Sequence, residues 1–280
     1  FWEIDWLIDV DGQCGGGSTV FQLDDETAQL IQSRYLGDNA NQSNPDGSIG
    51  IDVHIDYGQG SGWTGGNAIS HTTSYIDISA TPALASSYMA SERVGYFRYG
   101  VLGWDTNVSG TAYYPGWTQA LRKGCDTDSW QMAAVYVHEL GHNMGLGHGG
   151  LSNSCNYKPN YPSIMNYRYT LEGQVHPCAE DERQYWAFSD GHLPDLNESS
   201  LDESVGFCGD SAYDWNGNGV IENGVSADLN SQDPTQGTYC GGTVTTLTDV
   251  DDWGGMFIGL GLPSPNSYIP MGQPITCTFH

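Results

Sequence analysis

Apolar and polar residues alternate over the first ten positions of the chain. Residues 2–10 (WEIDWLIDV) place an apolar side chain at every second position with mostly acidic residues between, which predicts a β-strand with one buried face. Residues 23–35 then carry apolar side chains at helical spacing, and Gly37 marks the end of that helix. Alternation returns over residues 49–57. The order strand, helix, strand favours a parallel pair of strands.

Two further strands and a long helix are predicted next. Residues 94–104 and 109–122 have the composition of strands, and Pro115 in the second favours a sheet edge, where an extended peptide can pair. A helix then begins near residues 126–128, each of which can cap it, and ends at Gly145. We expect this helix to carry the chemistry of the protein.

The second half of the chain has fewer regular patterns. Beyond residue 150 Asn, Asp, Gly and Pro are frequent, and the capping-box pattern Thr248-x-x-Asp251 predicts one more helix around Trp253. We therefore predict an α+β fold whose first half is α/β-like and whose second half is rich in loops.

The charge of the chain limits its partners. The chain has 34 acidic and 8 basic residues, which gives a formal net charge of −26. Such a surface repels nucleic-acid backbones and anionic membranes, so we expect neither as a partner. No stretch approaches the roughly 18 apolar residues of a membrane span.

Seven cysteines are spread widely along the chain, and no CxxC pair suggests a cysteine metal site. Disulfides are the favoured interpretation, and they indicate an oxidising compartment. We expect a secreted protein from which any signal peptide or pro-segment has been removed, because the first residues are acidic where a signal peptide is basic. The pairing stays open, although Cys155/Cys178 and Cys208/Cys240 are the nearest neighbours in sequence.

The segment HELGHNMGLGH, residues 138–148, has the spacing of a metal site. His138 and His142 are four residues apart, so a helix presents both imidazoles on one face. Gly145 can end the helix, after which the chain turns back and His148 can complete a three-histidine zinc site. Glu139 lies beside the first ligand, where its carboxylate can act as a general base on water.

These residues resemble the metzincin motif HExxHxxGxxH, and Ser163-Ile-Met165-Asn-Tyr167 resembles the Met-turn of the same clan. The resemblance implies a zincin fold in one catalytic domain, with Met165 as an apolar floor under the metal. Residues 1–149 would form an α/β-like upper subdomain with a twisted, mostly parallel sheet, and residues 150–280 would form a loop-rich lower subdomain. The resemblance also implies that Tyr167 helps to stabilise the transition state, as in astacins and serralysins. Gly149 follows the third histidine where astacins have Glu, serralysins Pro and reprolysins Asp. The subfamily therefore stays open, with gametolysin-like and other bacterial secreted enzymes among the alternatives.

The function that this resemblance implies is a zinc endopeptidase. Protein or peptide substrates would bind extended along the edge strand, and the enzyme would work as a monomer. One alternative is a catalytically silent binding or adhesion module with the same fold, against which the intact Glu139 argues. Another is latency control by a free cysteine on zinc, for which Cys14 is the candidate.

A second metal site is predicted from residues 214–219 (DWNGNG), which match the first half of an EF-hand calcium loop. Val225 stands at the twelfth position in place of the bidentate Glu, so another carboxylate has to replace it. A plain Asx-turn loop is the alternative. The predicted calcium ligands are Asp214, Asn216, Asn218, Val220, Glu222 and Asp228.

The remaining acidic clusters are expected to be solvated faces or helix caps. They comprise Asp9, Asp11, Asp249, Asp251 and Asp252. The histidines without ligand spacing are expected to be structural or exposed; they are His54, His71, His176, His192 and His280.

Overall fold

The computed structural model describes residues 1–36, 43–151, 155–170, 188–206, 211–230 and 244–257, together with the backbone of 273–278. Two compact units divide the chain. The first comprises Phe1–Leu36, Ile51–Gly145 and Phe257–His280, and the second comprises Gly37–Gly50 and Leu146–Met256. Within the described residues no helix is both long and apolar enough to cross a membrane.

The described chain alternates strands and helices in its first half and has only short elements in its second. In chain order the elements are β1 (Trp2–Leu7), α1 (Asp25–Tyr35), β2 (Ile55–Asp56), β3 (Ala68–Ile69), a 3-10 turn (Ile78–Ala80), α2 (Thr81–Tyr88), β4 (Arg98–Trp104), β5 (Ser109–Tyr114), β6 (Thr118–Lys123), α3 (Ser129–Asn143), β7 (Leu196–Asn197), β8 (Leu201–Asp202), β9 (Asn223–Val225), β10 (Thr246–Leu247), α4 (Asp252–Gly255) and β11 (Gln273–Thr278).

A central sheet organises the first unit. Its strands, as far as the chain is described, lie in the order β11-β5-β6-β4-β1-β2, and β3 also pairs with β1. Strand β1 runs parallel to β2, β3 and β4, and β4 runs parallel to β6. Only β5 is antiparallel to its neighbours, β6 and β11. The mixed α/β content and the mostly parallel sheet confirm the coarse fold prediction, including the parallel pair formed by β1 and β2.

Strand β1 is buried on both faces, so the prediction of one buried face was wrong. All six of its residues are buried, and the side chains of Glu3 and Asp5 are fully enclosed. Arg93 compensates the burial of Glu3, because its guanidinium binds Glu3 at 2.5 Å and Asp56 of β2 at 2.6 Å. A central parallel strand is covered on both sides, which an alternating sequence does not reveal.

The segment predicted as a single edge strand, 109–122, is a hairpin of β5 and β6. Pro115 follows Tyr114 through a cis peptide bond and has no N–H to donate to a ladder. At Gly116 a Cβ would lie 2.5 Å from the Cβ of Tyr113, so the reversal needs glycine there. Neither strand lies at the edge, because β6 pairs with β4 and β5 pairs with β11. The expectation of a free edge in this segment was therefore wrong.

Helices α1 and α3 begin where the sequence predicts. Asp24 caps α1 by accepting from the Thr27 N–H, and Asp128 caps α3 by accepting from Gln131. The helices pack against each other, and the hydroxyl of Tyr35 donates to a carbonyl of α3 at 3.0 Å. The strand predicted over 49–57 is shorter, because only Ile55–Asp56 pairs with β1 before β3 takes over its edge.

A disulfide joins Cys14, in the loop after β1, to Cys125, in the loop before α3. Cys14 therefore has no free thiol, and the alternative in which it controls latency on zinc was wrong. Cys155 is disulfide-bonded as well. The predicted neighbours Cys178, Cys208 and Cys240 lie outside the described residues, so those two pairings stay predictions.

The second unit has a small core and little regular structure. Strands β7 and β10 pair, as do β8 and β9, and one buried residue of each packs into an apolar cluster of Leu196, Leu201, Val225 and Leu247. Helix α4 is a single turn capped by Asp251, which accepts from the Gly254 N–H. The capping box expected to start at Thr248 was wrong, because the cap falls three residues later. The sequence-based boundary after residue 149 stays a prediction.

The buried carboxyl of Asp5 predicts a loss of stability with rising pH. Burial raises its pKa from 3.8 to about 7, so the folded state holds this proton more tightly than the unfolded state. The protonated Asp5 therefore contributes to the free energy of unfolding. This contribution is complete below about pH 4 and is lost progressively up to about pH 7, by as much as about 4 kcal/mol. In urea unfolding, the free energy of the parent minus that of Asp5→Asn should fall over this range. A difference independent of pH would contradict the assignment.

Candidate metal centre

Helix α3 is buried along most of its length, and it carries two of the predicted ligands. From Met132 to Asn143 every residue is buried, so this is a core helix rather than a surface one. His138 and His142 point from the same face, with ring centroids 4.6 Å apart. Gly145 has a φ of +90° and ends the helix, as the sequence predicts.

The third histidine joins this pair. Ligand atoms of His138, His142 and His148 all lie within 4.8 Å of one another, and the three side chains are buried. Among the described residues no other group of three His, Cys, Asp or Glu side chains meets this condition. Buried neutral imidazoles that converge in this way can hold a metal ion, because each offers a nitrogen lone pair to the shared space.

A tight turn fixes His148. Gly147 and Gly150 exchange both backbone hydrogen bonds across it, at 2.5 and 3.1 Å. Gly150 has a φ of +94°, and a Cβ there would lie 2.8 Å from Val250, so this position needs glycine. The buried ammonium of Lys158 donates to the Gly149 carbonyl at 3.0 Å, and burial lowers its pKa to about 8. The backbone on both sides of the ligand is thus held in place.

Strand β5 passes directly over Glu139. The side chain of Glu139 is fully buried, and a Cβ on Gly110 would overlap its Cγ and lie 2.5 Å from its Oε1. Further along β5 the ring of Tyr114 meets the His142 ring edge-on, with centroids 6.2 Å apart. The sequence analysis overlooked Gly110, although an isolated glycine within a strand pattern indicates close approach of another group.

The predicted Met-turn residues occupy defined places in the second unit. The ring of Tyr167 lies against the ring of His148, with centroids 4.3 Å apart and a tilt of 44°. Its backbone N–H donates to the Asn156 side chain at 3.0 Å. Met165 is fully buried, and its N–H donates to Ser163 Oγ at 3.0 Å. Tyr167 therefore lies beside the third predicted ligand, and its role in catalysis stays a prediction.

No known family model matches the chain, and comparison with the curated proteins gives no match. The resemblance to metzincins consequently rests on the sequence of residues 138–148 and 163–167 alone.

Asp252 holds the Met-turn segment, a role that the sequence analysis missed. Its carboxylate accepts from Tyr161 Oη at 2.6 Å, from Ser163 Oγ at 2.5 Å and from the Ser189 N–H at 2.9 Å. The side chain is completely enclosed, and burial raises its pKa to about 7. The expectation of a solvated face was therefore wrong for Asp252. It was also wrong for Asp9, which is 4% exposed and accepts three backbone N–H bonds.

The predicted calcium loop is folded around its own carboxylates. Asp214 accepts from the backbone N–H groups of Asn218 at 3.2 Å and Gly219 at 2.6 Å. Glu222 Oε1 accepts from the side-chain amides of Asn216 at 3.4 Å and Asn218 at 2.8 Å. Four of the predicted ligands are thus close together.

The other two predicted calcium ligands have different surroundings. The exposed Val220 donates its N–H to the Asn218 side chain at 2.7 Å, so its backbone belongs to the loop. Asp228 is half-buried, and its neighbours Ala227 and Leu229 both bond to Glu198. A buried carboxylate absent from the prediction, Glu203, accepts the N–H groups of Trp215 at 2.9 Å and Glu222 at 3.1 Å.

The hydrogen bonds that Asp252 accepts predict that its replacement destabilises the protein more than replacement of the adjacent Asp251. Asp252→Ala leaves two buried hydroxyls and one N–H without their acceptor, which should cost about 2–4 kcal/mol of unfolding free energy. Asp251→Ala removes only the cap of a one-turn helix and should cost about 1 kcal/mol or less. Urea unfolding of both variants at one pH measures the contrast, and equal losses would contradict it.

Proposed function

We propose that the protein is a secreted zinc-dependent endopeptidase with the metzincin fold. The observation that carries the proposal is the convergence of His138, His142 and His148, with Glu139 next to the first ligand on the same buried helix. Three protein ligands leave one position of a tetrahedral zinc for water, which distinguishes catalytic from structural sites. Imidazole also suits copper, nickel and iron, but a three-histidine set with a neighbouring glutamate is typical of hydrolytic zinc.

The residues of the chain would then share the work of peptide hydrolysis. When bound, zinc supplies a Lewis acid that lowers the pKa of water and polarises the peptide carbonyl. Glu139 accepts a proton from the attacking water at a carboxylate oxygen, as the new C–O bond forms. It returns this proton to the amide nitrogen as the C–N bond breaks, which releases an amine and a carboxylic acid. In this proposal Tyr167 donates a hydrogen bond to the oxygen on which negative charge develops.

Several features outside the ligands support this assignment. Gly110 leaves room for the Glu139 side chain beneath β5, and any larger residue would displace the proposed base. Tyr167 is oriented by Asn156 and lies on the ring of His148. Groups that support metal ligands and bases in this way are typical of sites that must hold a reactive geometry.

The proposed setting is extracellular, with protein or peptide substrates and a monomeric enzyme. The Cys14–Cys125 disulfide supports an oxidising compartment. The net charge of −26 makes nucleic acid and anionic membranes poor partners.

We propose a second, structural role for calcium at residues 214–222. Side-chain oxygens of Asp214, Asn216, Asn218 and Glu222 come from one short loop, and the backbone N–H bonds to Asp214 hold it tightly curled. Oxygen donors of this kind match the preference of calcium. Glu222 takes the place of the missing twelfth-position carboxylate.

The proposed general base predicts a separation of catalysis from metal binding. Glu139→Ala should keep about one zinc per chain and lose at least 100-fold in kcat, because the base is removed while the three ligands remain. His148→Ala is the matched control, and it should lose both zinc and activity. Zinc content is measured by atomic absorption after dialysis. Cleavage is measured on a peptide library in the presence and in the absence of a chelator. Turnover of Glu139→Ala near that of the parent would contradict the mechanism, and a library left intact by the zinc-loaded parent would favour a binding module.

The calcium proposal predicts ion-dependent stability. Millimolar calcium should raise the melting temperature of the parent by several degrees, since an ion that binds only the folded chain stabilises it in proportion to its saturation. Asp214→Ala should abolish this shift, whereas Asp46→Ala, which removes an exposed turn carboxylate, should keep it. Calorimetry with zinc held constant measures both variants. A shift that survives in Asp214→Ala would place the calcium elsewhere.

A further inference from the structure

Strand β5 borders helix α3 where the helix carries Glu139 and His142. Gly110, near its start, touches Glu139, and Tyr114, at its end, meets the ring of His142. The backbone of β5 between these two residues therefore follows the row of side chains that would perform the chemistry. A peptide paired with this strand would run past the proposed general base.

The same strand is already paired on both sides. Its inner side faces β6, and its outer side faces β11. The register runs from Tyr114↔Gln273 to Ser109↔Thr278 and includes Gly110↔Cys277, so all six residues of β5 have a partner in β11. Recognition by strand addition needs free N–H and C=O groups on a sheet edge, and β11 occupies them.

We propose that β11 is an internal competitor that binds the substrate edge of β5 and must leave before an extended peptide can pair there. This inference rests on the proposed endopeptidase function. Its central observation is geometrical, because the strand beside Glu139 is covered by an antiparallel segment of the same chain over its full length. The occupant that β11 mimics is the peptide substrate.

The pairing of β11 is one-sided, which makes its release feasible. Among the described residues it is the outermost strand of the sheet, and β5 is the only described strand with which its backbone pairs. Pro274 has no backbone N–H, and in a paired strand such a residue turns its nitrogen away from the partner. By alternation the N–H of Ile275 points toward β5 and that of Thr276 points away. Proline is therefore disruptive at the first position and tolerated at the second.

Competition of this kind has a specific kinetic signature. Substrate binds only the fraction of molecules in which β11 has left, so the apparent KM is the intrinsic value divided by that fraction. The turnover number at saturating peptide does not change. Weakening β11 should therefore lower KM and leave kcat constant.

The test compares two proline variants in the full zinc-loaded chain. Ile275→Pro removes an N–H that faces β5 and should lower KM for a long peptide by at least about fivefold, the factor for one typical hydrogen bond. Thr276→Pro should leave KM within about twofold of the parent. Equal KM values for all three proteins, with equal zinc content and circular dichroism, would overturn the proposal.

A second measurement needs no change in β11. In Glu139→Ala, which would bind peptide without cutting it, saturating substrate should increase hydrogen exchange in residues 273–278 while β5 stays protected. Peptide binding that leaves the exchange of β11 unchanged would overturn the inference and leave the proposed function intact. If neither the parent nor either proline variant binds or cleaves any peptide with zinc present, the proposed function itself is overturned.

Discussion

The close packing of helix α3 against strand β5 is the constraint on which the candidate metal centre depends. The helix is buried from Met132 to Asn143, so its position is fixed by what the sheet allows. At Gly110 the strand has no side chain where the Glu139 carboxylate lies. The absence of a Cβ at this position thus leaves the space that the glutamate side chain occupies.

Elements with a regular spacing of apolar residues and clear residues at their ends could be predicted from the sequence. Helix α3 begins after an aspartate cap, and Gly145 follows its end. Helical geometry alone places its two histidines, which are four residues apart, on one face. The parallel pairing of β1 and β2 followed equally from chain order. The sequence could not predict which strands pair when they lie far apart in the chain. Whether the segment 109–122 has a free edge depends on β11 (Gln273–Thr278), which lies far away in sequence.

The candidate site shows the same limit. The position of His148 depends on a glycine turn and on the Lys158 ammonium, and neither is marked by any local pattern. Asp252 belongs to an acidic run of the kind that usually lies in solvent, yet it is fully enclosed and accepts three hydrogen bonds. Local composition gives the average environment of such a residue, and only the packed tertiary structure supplies its donors.

The disulfide between Cys14 and Cys125 bears on how the chain would survive if it has the endopeptidase activity proposed above. It closes a covalent ring of chain that includes α1, α2 and the strands β2 to β6. A single cut anywhere between these cysteines opens the ring but leaves both pieces attached to each other and to helix α3. The severed ends cannot diffuse apart, so refolding stays a reaction within one molecule. The proposed endopeptidase would then tolerate nicks from its own copies in this region and keep the strands β5 and β6, which pack against helix α3.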